Sequence, residues 1–390
     1  MYRYIGNKTK LLPHIMNRVR EMIGDTGTVA DIMAGTGSVA LELKKNGYTV
    51  VASDVMTYSY HHLVTNLQLD GEPPFTGLIF EGVIDAKSTT PYQDVLEFLN
   101  NLTPKQSFFY REFSPAGTPL NGCPPRKYFT AENAEKIDAI REKINEWIEN
   151  GNITPNEESL LKHTLIMAVN EIANISGTYG YFLSDFKKNA VDPIILKPVE
   201  IYTGNATGHI VRLGFAENLA GLITADLCYI DPPYMKRQYA ANYHILETLA
   251  RGDYPEAIGK SGLRDWWDQH SKLCTKTRGL QSFEKIMSDM HCDKFLISYS
   301  EDGLFTLDQL KECFSKFGTV DVQLIPLTIS MRICPAVPTV ARRLFPKEAV
   351  TPLCPALPVA LSRNMVTAKK PSTALWKKRT NALLRWNSRN

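Results

Sequence analysis

The sequence predicts an α/β fold in which a central sheet is interrupted by a long helical insert. Residues 29–53 have the pattern of an apolar strand, a glycine turn, a helix and a second strand, which is the repeating unit of such sheets. Between residues 90 and 190 the pattern changes to amphipathic helices, and strands resume after residue 220. A chain of 390 residues with 44% apolar content can bury the cores of two domains.

Turn and cap signals give the order of the elements. Gly47 ends the first helix of the sheet, and Thr130 and either Thr154 or Asn156 are suitable N-caps for two long helices of the insert. The predicted elements are, in order, a helix with apolar positions from Ile15 to Ile23, a strand over 29–33, a helix over 38–45, a strand over 49–53, the helices of the insert, strands over 222–230 and 294–298, a helix over 307–316 and a strand over 320–326.

These elements predict three segments. Residues 1–88 and 191–327 form a discontinuous sheet domain, residues 89–190 form the helical insert, and residues 328–390 form a basic, proline-rich tail. From Met331 onward there are twelve Lys and Arg, seven prolines and one acid, whereas residues 1–330 carry 32 basic and 40 acidic side chains.

Three explanations of the tail remain open. It is a disordered basic arm that adds phosphate contacts, a small appended element, or non-native sequence that follows a change of coding frame near residue 327. We favour the frame change, because the deficit of acids and the loss of apolar patterning begin together. This explanation predicts that the chain lacks its C-terminal strand.

Composition also limits the cellular setting and the metal chemistry. The chain has no apolar run of about 18 residues and does not begin like a signal peptide, so we expect a soluble, cytoplasmic protein without a membrane segment. Its seven cysteines are scattered without a C-x-x-C pair, and no two histidines have metal-ligand spacing. We therefore predict reduced thiols and no bound metal.

The glycine turn has the pattern of a nucleotide-binding loop. Residues 35–40 fit G-x-G-x-x-A, and Asp54 ends the next strand 19 residues after Gly35, a distance suited to a ribose. An ordinary tight turn with a solvated acid is the alternative. The loop predicts an adenosine-type cofactor without separating NAD from S-adenosylmethionine. Lys8, with Tyr4 and Gly6 close by, favours the latter, because a cation before a helix can pair with a carboxylate.

The segment from Asp231 to Tyr234, Asp-Pro-Pro-Tyr, follows an apolar strand and predicts a rigid pocket. The Asp231 carboxylate and the Pro232 carbonyl can each accept one hydrogen of an aromatic amine, and Tyr234 can stack on its ring. Two such acceptors favour a tetrahedral nitrogen whose lone pair can attack a methyl group on a sulfonium. A purely structural strand end is the alternative.

Three motifs together resemble a known family. Tyr-Ile-Gly-Asn-Lys at 4–8, Asp-Ile-Met-Ala-Gly-Thr-Gly-Ser at 31–38 and Asp-Pro-Pro-Tyr at 231–234 look like the signature motifs of the D12-class adenine-N6 DNA methyltransferases. Their order is that of the α-group, and several other segments resemble the FokI-type methylases. The resemblance covers residues 1–327 and implies a Rossmann-like S-adenosylmethionine-dependent methyltransferase sheet with an inserted, mainly helical target-recognition domain.

The resemblance also implies a role for each motif residue. Tyr4, Gly6 and Lys8 would meet the methionine end of S-adenosylmethionine, Asp54 would hold its ribose, and Asp231, Pro232, Pro233 and Tyr234 would receive a flipped adenine. The cofactor cradle would comprise Asp31, Ala34, Gly35, Thr36, Gly37 and Ser38. The residue for the cofactor's adenine stays open between Glu217 and Asn218.

Contacts with double-stranded DNA are expected on both sides of the pocket. Lys236, Arg237 and Gln238 are candidates for phosphates. Trp266 and Trp267 are expected in the core or at the rim rather than as base-stacking groups. The candidates for base contacts are Tyr239, Asn242, Tyr243 and His244, and those in the insert are Arg111, Arg126, Lys127 and residues 177–180.

The predicted function is site-specific methylation of adenine N6 in duplex DNA by a monomer, as part of a restriction–modification system with a separately encoded endonuclease. Three alternatives remain open at this point. They are an RNA base N-methyltransferase, an NAD-dependent oxidoreductase, and a DNA-binding protein whose catalysis is impaired by an altered C-terminus.

Overall fold

The structure is a computed structural model, and it describes residues 8–204, 206–328 and 378–388. Seven strands form one sheet in the order β3-β2-β1-β4-β5-β7-β6. The strands are β1 (Thr28–Asp31), β2 (Thr49–Asp54), β3 (Ile210–Leu213), β4 (Leu227–Ile230), β5 (Lys294–Ser300), β6 (Gly318–Thr328) and β7 (Lys378–Ser388). The α/β class predicted from the sequence is therefore confirmed.

Helices cover both faces of this sheet and form a separate layer beside it. Within the described residues they are α1 (Leu12–Ile23), α2 (Ser38–Lys45), α3 (Thr57–Leu67), α4 (Thr76–Phe80), α5 (Pro91–Asn100), α6 (Phe108–Phe113), α7 (Ala131–Glu149), α8 (Pro155–Ile172), α9 (Ala216–Leu219), α10 (Tyr239–Asn242), α11 (His244–Arg251), α12 (Gly279–Asp289) and α13 (Leu307–Ser315). None of these helices has both the length and the apolar character that crossing a bilayer requires.

The strand order creates a crevice in the middle of the sheet. β1 pairs in parallel with β2 on one side and with β4 on the other, and β4 pairs in parallel with β5. The chain therefore leaves β1 toward one edge and β4 toward the opposite edge. In open α/β sheets, ligands bind at this reversal, beyond the carboxyl ends of the strands. Asp31 ends β1, and Asp231 directly follows β4.

Apolar side chains on alternate positions bury the two faces of the sheet in different cores. In β1, Val29 packs with residues of α1 and α2, whereas Ala30 packs with residues of α12 and α13. A parallel sheet covered on both faces needs apolar residues at every strand position, which explains the continuous apolar runs in the sequence. These two cores hold the strand ends, and thus the crevice, in place.

The helical part of the chain has a third core. It contains buried side chains of α4 to α8 together with residues of α3 and α11. Thr130 caps α7 by accepting a hydrogen bond from the Asn133 N–H, and Thr154 forms a reciprocal capping box with Glu157 at the start of α8. Both predicted N-caps are confirmed. The run of helices begins at Thr76, before the boundary expected from the sequence at residue 89.

One buried acid ties α3 to α11. The carboxylate of Glu247 accepts hydrogen bonds from the Thr57 N–H at 3.2 Å and the Tyr58 N–H at 3.3 Å, at the first turn of α3. It also accepts bonds from Arg251 at 2.8 Å and from the Gln269 amide at 2.7 Å. A negative charge at a helix N-terminus is favourable. The start of α3, just after Asp54, is thereby fixed.

The tail differs from what the sequence led us to expect. Residues 378–388 form β7, which lies between β5 and β6 and pairs antiparallel with both. The expectation that the C-terminal strand is missing is therefore wrong. Leu383 and Leu384 are buried on opposite faces of the sheet, each in a different core. Residues 329–377 lie outside the described residues, and all three explanations of the tail stay predictions for that stretch.

The position of β7 predicts that the sheet depends on it. Replacing Leu384, which is 1% exposed, with Ala should lower the free energy of unfolding by roughly 2–5 kcal/mol, because the change leaves a cavity in the core. Leu120→Ala, at a side chain that is 78% exposed, is the matched control and should change it little. Urea denaturation followed by circular dichroism measures both variants. Equal stability of the two would contradict the placement of β7.

Candidate active site

A cavity of about 930 Å³, part of which is open to solvent, lies at the carboxyl edge of the sheet where β1, β2 and β4 end. Most of the side chains singled out in the sequence meet there. The predicted residues that line it are Lys8, Asp31, Ala34, Gly35, Thr36, Ser38, Asp54, Asp231, Pro233 and Tyr239. Tyr4 and Gly6 lie outside the described residues.

The glycine loop adopts a conformation that other residues rarely reach. Gly35 has φ of 55° and Gly37 has φ of 76°, both in the left-handed region. A side chain on Gly37 would also place its Cβ 3.0 Å from Leu63 and 3.1 Å from Asn66. Gly37 is the N-cap of α2, so the loop brings backbone N–H groups at a helix start to the edge of the cavity.

Asp54, at the end of β2, holds this loop in place. One of its carboxylate oxygens accepts a hydrogen bond from the Gly35 N–H at 2.8 Å, and the other accepts one from the Met56 N–H at 2.9 Å. Burial raises the pKa of Asp54 to about 6, although the two backbone bonds oppose the shift. Asp54 is therefore ionised at neutral pH and becomes protonated in mildly acidic solution.

A buried cation links the first and third motifs. The Lys8 ammonium lies 2.8 Å from a carboxylate oxygen of Asp231 and donates a hydrogen bond to the Tyr234 hydroxyl. The Tyr234 hydroxyl in turn donates to Asp231. Burial raises the pKa of Asp231, and the charge of Lys8 opposes this shift. The three side chains form one closed network.

Asp31, on the neighbouring strand, has no such partner. It is 1% exposed, and neither carboxylate oxygen makes a hydrogen bond of standard geometry with a group in the described residues. Burial raises the pKa of Asp31 well above its usual value, the charges of Asp231 and Asp54 raise it further, and the backbone amides of Met33 and Ala40 offset part of the shift. An unpaired buried carboxylate is costly, and it attracts a cationic ligand.

The ring of Tyr234 is positioned from β5. It meets the ring of Tyr299 edge-on, with centroids 5.4 Å apart, and the Tyr299 hydroxyl accepts a hydrogen bond from the Phe305 N–H at 3.1 Å. The backbone carbonyl of Tyr234 accepts a bond from the Leu304 N–H at 2.9 Å. Pro232 is buried behind the cavity wall. The segment 231–234 is thus rigid although it has no regular secondary structure.

One part of the cavity wall was missed in the sequence. Gln269, Ser271, Leu273 and Cys274 line the cavity, from a stretch without a recognisable motif. The Gln238 side chain donates to the Ser271 carbonyl at 3.0 Å and accepts from the Ser271 N–H at 2.9 Å. This pair of bonds joins the loop after residue 234 to the missed stretch. No pattern in the sequence indicates it, because the contact joins two irregular loops.

The residues expected to contact DNA after the Asp-Pro-Pro-Tyr segment separate into two groups. Lys236 and Arg237 are exposed, and Asn242 is half-buried. Tyr243 and His244 are fully buried, and His244 hydrogen-bonds the Tyr179 carbonyl at 2.9 Å, so the expected base contacts of these two residues are wrong.

Arg126, in the helical part, is also a structural residue and not a surface group. It is fully buried, lies 2.9 Å from the carboxylate of Glu112, and donates to the carbonyls of Ala257 and Gly259. The expected DNA contact of Arg126 is therefore wrong. Arg111 also pairs with Glu112, at 3.0 Å, whereas Lys127 is exposed.

The two candidates for the cofactor's adenine differ in their surroundings. Glu217 is buried and lines the cavity together with Phe215 and Ala216. Asn218 is exposed. The position of Glu217 therefore makes it the better candidate of the two.

Comparisons with known proteins agree with this arrangement of motifs. Residues 4–324 match the model of the D12 class N6 adenine-specific DNA methyltransferases. The chain is 33% identical over 322 residues to the type II methyltransferase M.NlaIII of Neisseria lactamica, with 82% of this chain and 89% of that protein covered.

Two further relatives are longer than this chain. It is 35% identical over 320 residues to the type II methyltransferase M.FokI of Planomicrobium okeanokoites, covering 81% of this chain and 47% of that protein. It is 31% identical over 328 residues to the modification methylase StsI of Streptococcus sanguinis, covering 83% and 48%. The chain thus spans about half the length of these two relatives.

The family match covers most of the chain and includes all three motifs, at 4–8, 31–38 and 231–234. It confirms the resemblance predicted from the sequence and favours the methyltransferase over the oxidoreductase that the glycine loop left open. The chain belongs to the D12 class N6 adenine-specific DNA methyltransferases.

Proposed function

We propose that this protein transfers a methyl group from S-adenosylmethionine to N6 of an adenine that has been flipped out of duplex DNA into the cavity. The observation that carries the proposal is the placement of two acids with opposite surroundings at the switch point of the sheet. Asp31 is buried without a hydrogen bond of standard geometry to a described group, and Asp231 follows β4 within a rigid proline segment.

The side chains of the cavity fit the cofactor group by group. The unpartnered Asp31 suits the ammonium of a methionine tail, and Lys8 suits its carboxylate. Each oxygen of Asp54 already accepts one backbone bond and can accept one ribose hydroxyl more. Glu217 suits the adenine amino group. Bound in this way, S-adenosylmethionine would supply an electrophilic methyl group; Tyr4 and Gly6 remain expected contacts of its methionine end.

Asp231 needs a free oxygen to receive the target amine. In the structure one of its oxygens is paired with Lys8 at 2.8 Å. Its second oxygen is not part of this pairing and could accept an amine hydrogen together with the Pro232 carbonyl, while a ligand carboxylate near Lys8 would compete for that cation. Both acceptors stabilise the positive charge that develops on the nitrogen during attack. Tyr234 and Tyr239 would contact the flipped ring.

Duplex DNA would meet the surface around the cavity. Lys236 and Arg237 are exposed beside it, and cations at such positions contact phosphates. We assign target recognition to the helical residues 89–190, where Lys127 is an exposed cation. The relatives named as type II methyltransferases support a place in a restriction–modification system, with a separately encoded endonuclease as partner and this chain acting as a monomer.

The activity is tested by sequencing. DNA from cells that express the protein should carry N6-methyladenine at one short motif, which single-molecule sequencing reports together with the motif itself. Asp231→Asn should lower the rate of methylation of a duplex with this motif by roughly a hundred-fold or more, because a neutral amide oxygen replaces the charged acceptor of the amine. S-adenosylmethionine binding, measured by calorimetry, should persist in this variant. Undiminished methylation by Asp231→Asn would refute the proposal.

Asp54 predicts how cofactor binding depends on pH. Its pKa is raised to about 6 by burial, so it is ionised above this pH and protonated below it. Because a protonated acid is a poorer acceptor for ribose hydroxyls, the affinity for S-adenosylmethionine should fall as the pH drops through about 6. Calorimetric titrations at several pH values measure this fall. Asp54→Asn should bind weakly at every pH, and a flat profile in the unaltered protein would count against the role of Asp54.

The burial of Asp31 predicts that removing its charge raises the stability of the protein and weakens cofactor binding. Because its folded-state pKa lies above the unfolded value of roughly 3.9, ionisation of Asp31 costs more stability as the pH rises. Asp31→Asn should therefore stabilise the cofactor-free protein at neutral pH, by about 1–3 kcal/mol, and this gain should shrink as the pH is lowered toward ~4. The same variant should bind S-adenosylmethionine roughly ten-fold or more weakly. A variant that is less stable and binds normally would contradict both expectations.

A further inference from the structure

Three aromatic rings stack at the rim of the cavity, and none of them has a role in the mechanism above. The rings of Trp266 and Trp267 have centroids 5.0 Å apart and planes 18° apart, and Trp267 and His270 have centroids 5.3 Å apart and planes 19° apart. Trp267 is nevertheless 70% exposed. A large aromatic surface in water is unfavourable unless a partner covers it, and here the surface is flat.

Hydrogen bonds and an ion pair of neighbouring residues fix the segment that carries the stacked rings. The backbone N–H of Trp267 donates to the Asp265 carboxylate at 3.1 Å, and Asp268 lies 2.8 Å from Arg251 of α11. The Gln269 side chain donates to the Val55 carbonyl at 2.9 Å and to the buried Glu247 at 2.7 Å. The exposed ring therefore has little freedom to fold back on the protein, and a ligand that covers it loses little side-chain entropy.

The stack is continuous with the cavity. Gln269 and Ser271, on either side of His270, both line the cavity. Ser271 is bonded twice to Gln238, in the loop that directly follows the Asp-Pro-Pro-Tyr segment. A molecule that places one group in the cavity would thus bring neighbouring groups to Trp267.

The charge around the stack indicates the kind of molecule. Five cations on the two joined loops are exposed. The acids that flank Trp267 in the sequence, Asp265 and Asp268, are engaged by the backbone N–H of Trp267 and by Arg251. The cations are Lys236, Arg237, Lys272, Lys276 and Arg278. A flat aromatic surface among cations is complementary to a nucleic acid, in which aromatic bases alternate with phosphates.

We propose that the exposed ring of Trp267 stacks on a nucleobase that is left unstacked when the target adenine leaves the duplex. This inference rests on the proposed function, because only extrusion of a base exposes the face of its neighbours or of the opposite base. Trp266 and His270 support the Trp267 ring from the protein side, and the nearby cations hold the phosphates. The partner is duplex DNA opened at one position.

The test uses duplex DNA that carries the motif found by sequencing, with the target adenine replaced by an abasic residue. Trp267→Ala should raise its Kd, measured by fluorescence anisotropy, by at least about five-fold, the lower end for one base–aromatic stack. Trp267→Phe should restore most of the affinity, because a flat ring is retained. Since stacking involves no counterion release, the slope of log Kd against log salt should be the same in Trp267→Ala as in the unaltered protein.

Phe80→Ala is the matched control, since Phe80 is an aromatic residue that is 86% exposed and does not line the cavity. It should leave the Kd unchanged. If Trp267→Ala binds this duplex as tightly as Phe80→Ala does, or if it loses affinity only through a smaller salt slope, the stacking role is refuted. Failure of the proposed function is seen separately, as absence of adenine methylation by the unaltered protein. Sequencing then gives no motif, so plasmid DNA replaces the duplex as the probe. An unchanged Kd of Trp267→Ala for plasmid DNA likewise refutes the stack.

Discussion

The site depends on one buried cation among three acids. Asp31 ends β1, Asp54 ends β2 and Asp231 directly follows β4, so the three carboxyl groups meet at one edge of the sheet. Like charges in a buried site repel each other. Lys8 neutralises only Asp231, at 2.8 Å, and Asp54 is stabilised by backbone N–H groups. Asp31 has no such cation among the described residues. Its carboxyl group beside the Lys8 ammonium suits a ligand that carries both signs, as the proposed cofactor does.

Much of this arrangement could be predicted from the sequence, because its signals are local. The strand at β1, the glycine turn, α2 at 38–45 and the acid ending β2 follow from apolar runs and helix signals within some 30 residues. Since strands of a parallel sheet end at one edge, the Asp-Pro-Pro-Tyr segment after β4 had to meet them. The wall formed by 269–274 could not be predicted, because it reaches the cavity through bonds between irregular loops.

The burial of individual polar residues could not be predicted from the sequence either. Arg126 and His244 look like surface groups in the chain, yet both are buried with satisfied hydrogen bonds from distant segments. Only the tertiary structure decides whether such partners exist. The strand in the tail was not predicted for a related reason. The apolar centre of β7 is a short run around Leu383 and Leu384, and its partners lie in the distant strands β5 and β6. A strand that is buried on both faces lacks the alternation of apolar and polar residues by which a half-buried strand is predicted.

The place of β7 has a consequence for how the protein is made. It is the last strand of the described residues, yet it lies inside the sheet, and β6 joins the sheet through it. While residues 378–388 are still being translated, β5 has an unpaired edge, of the kind that recruits other chains. The sheet can therefore close only after residues 378–388 have been synthesised and have inserted between β5 and β6.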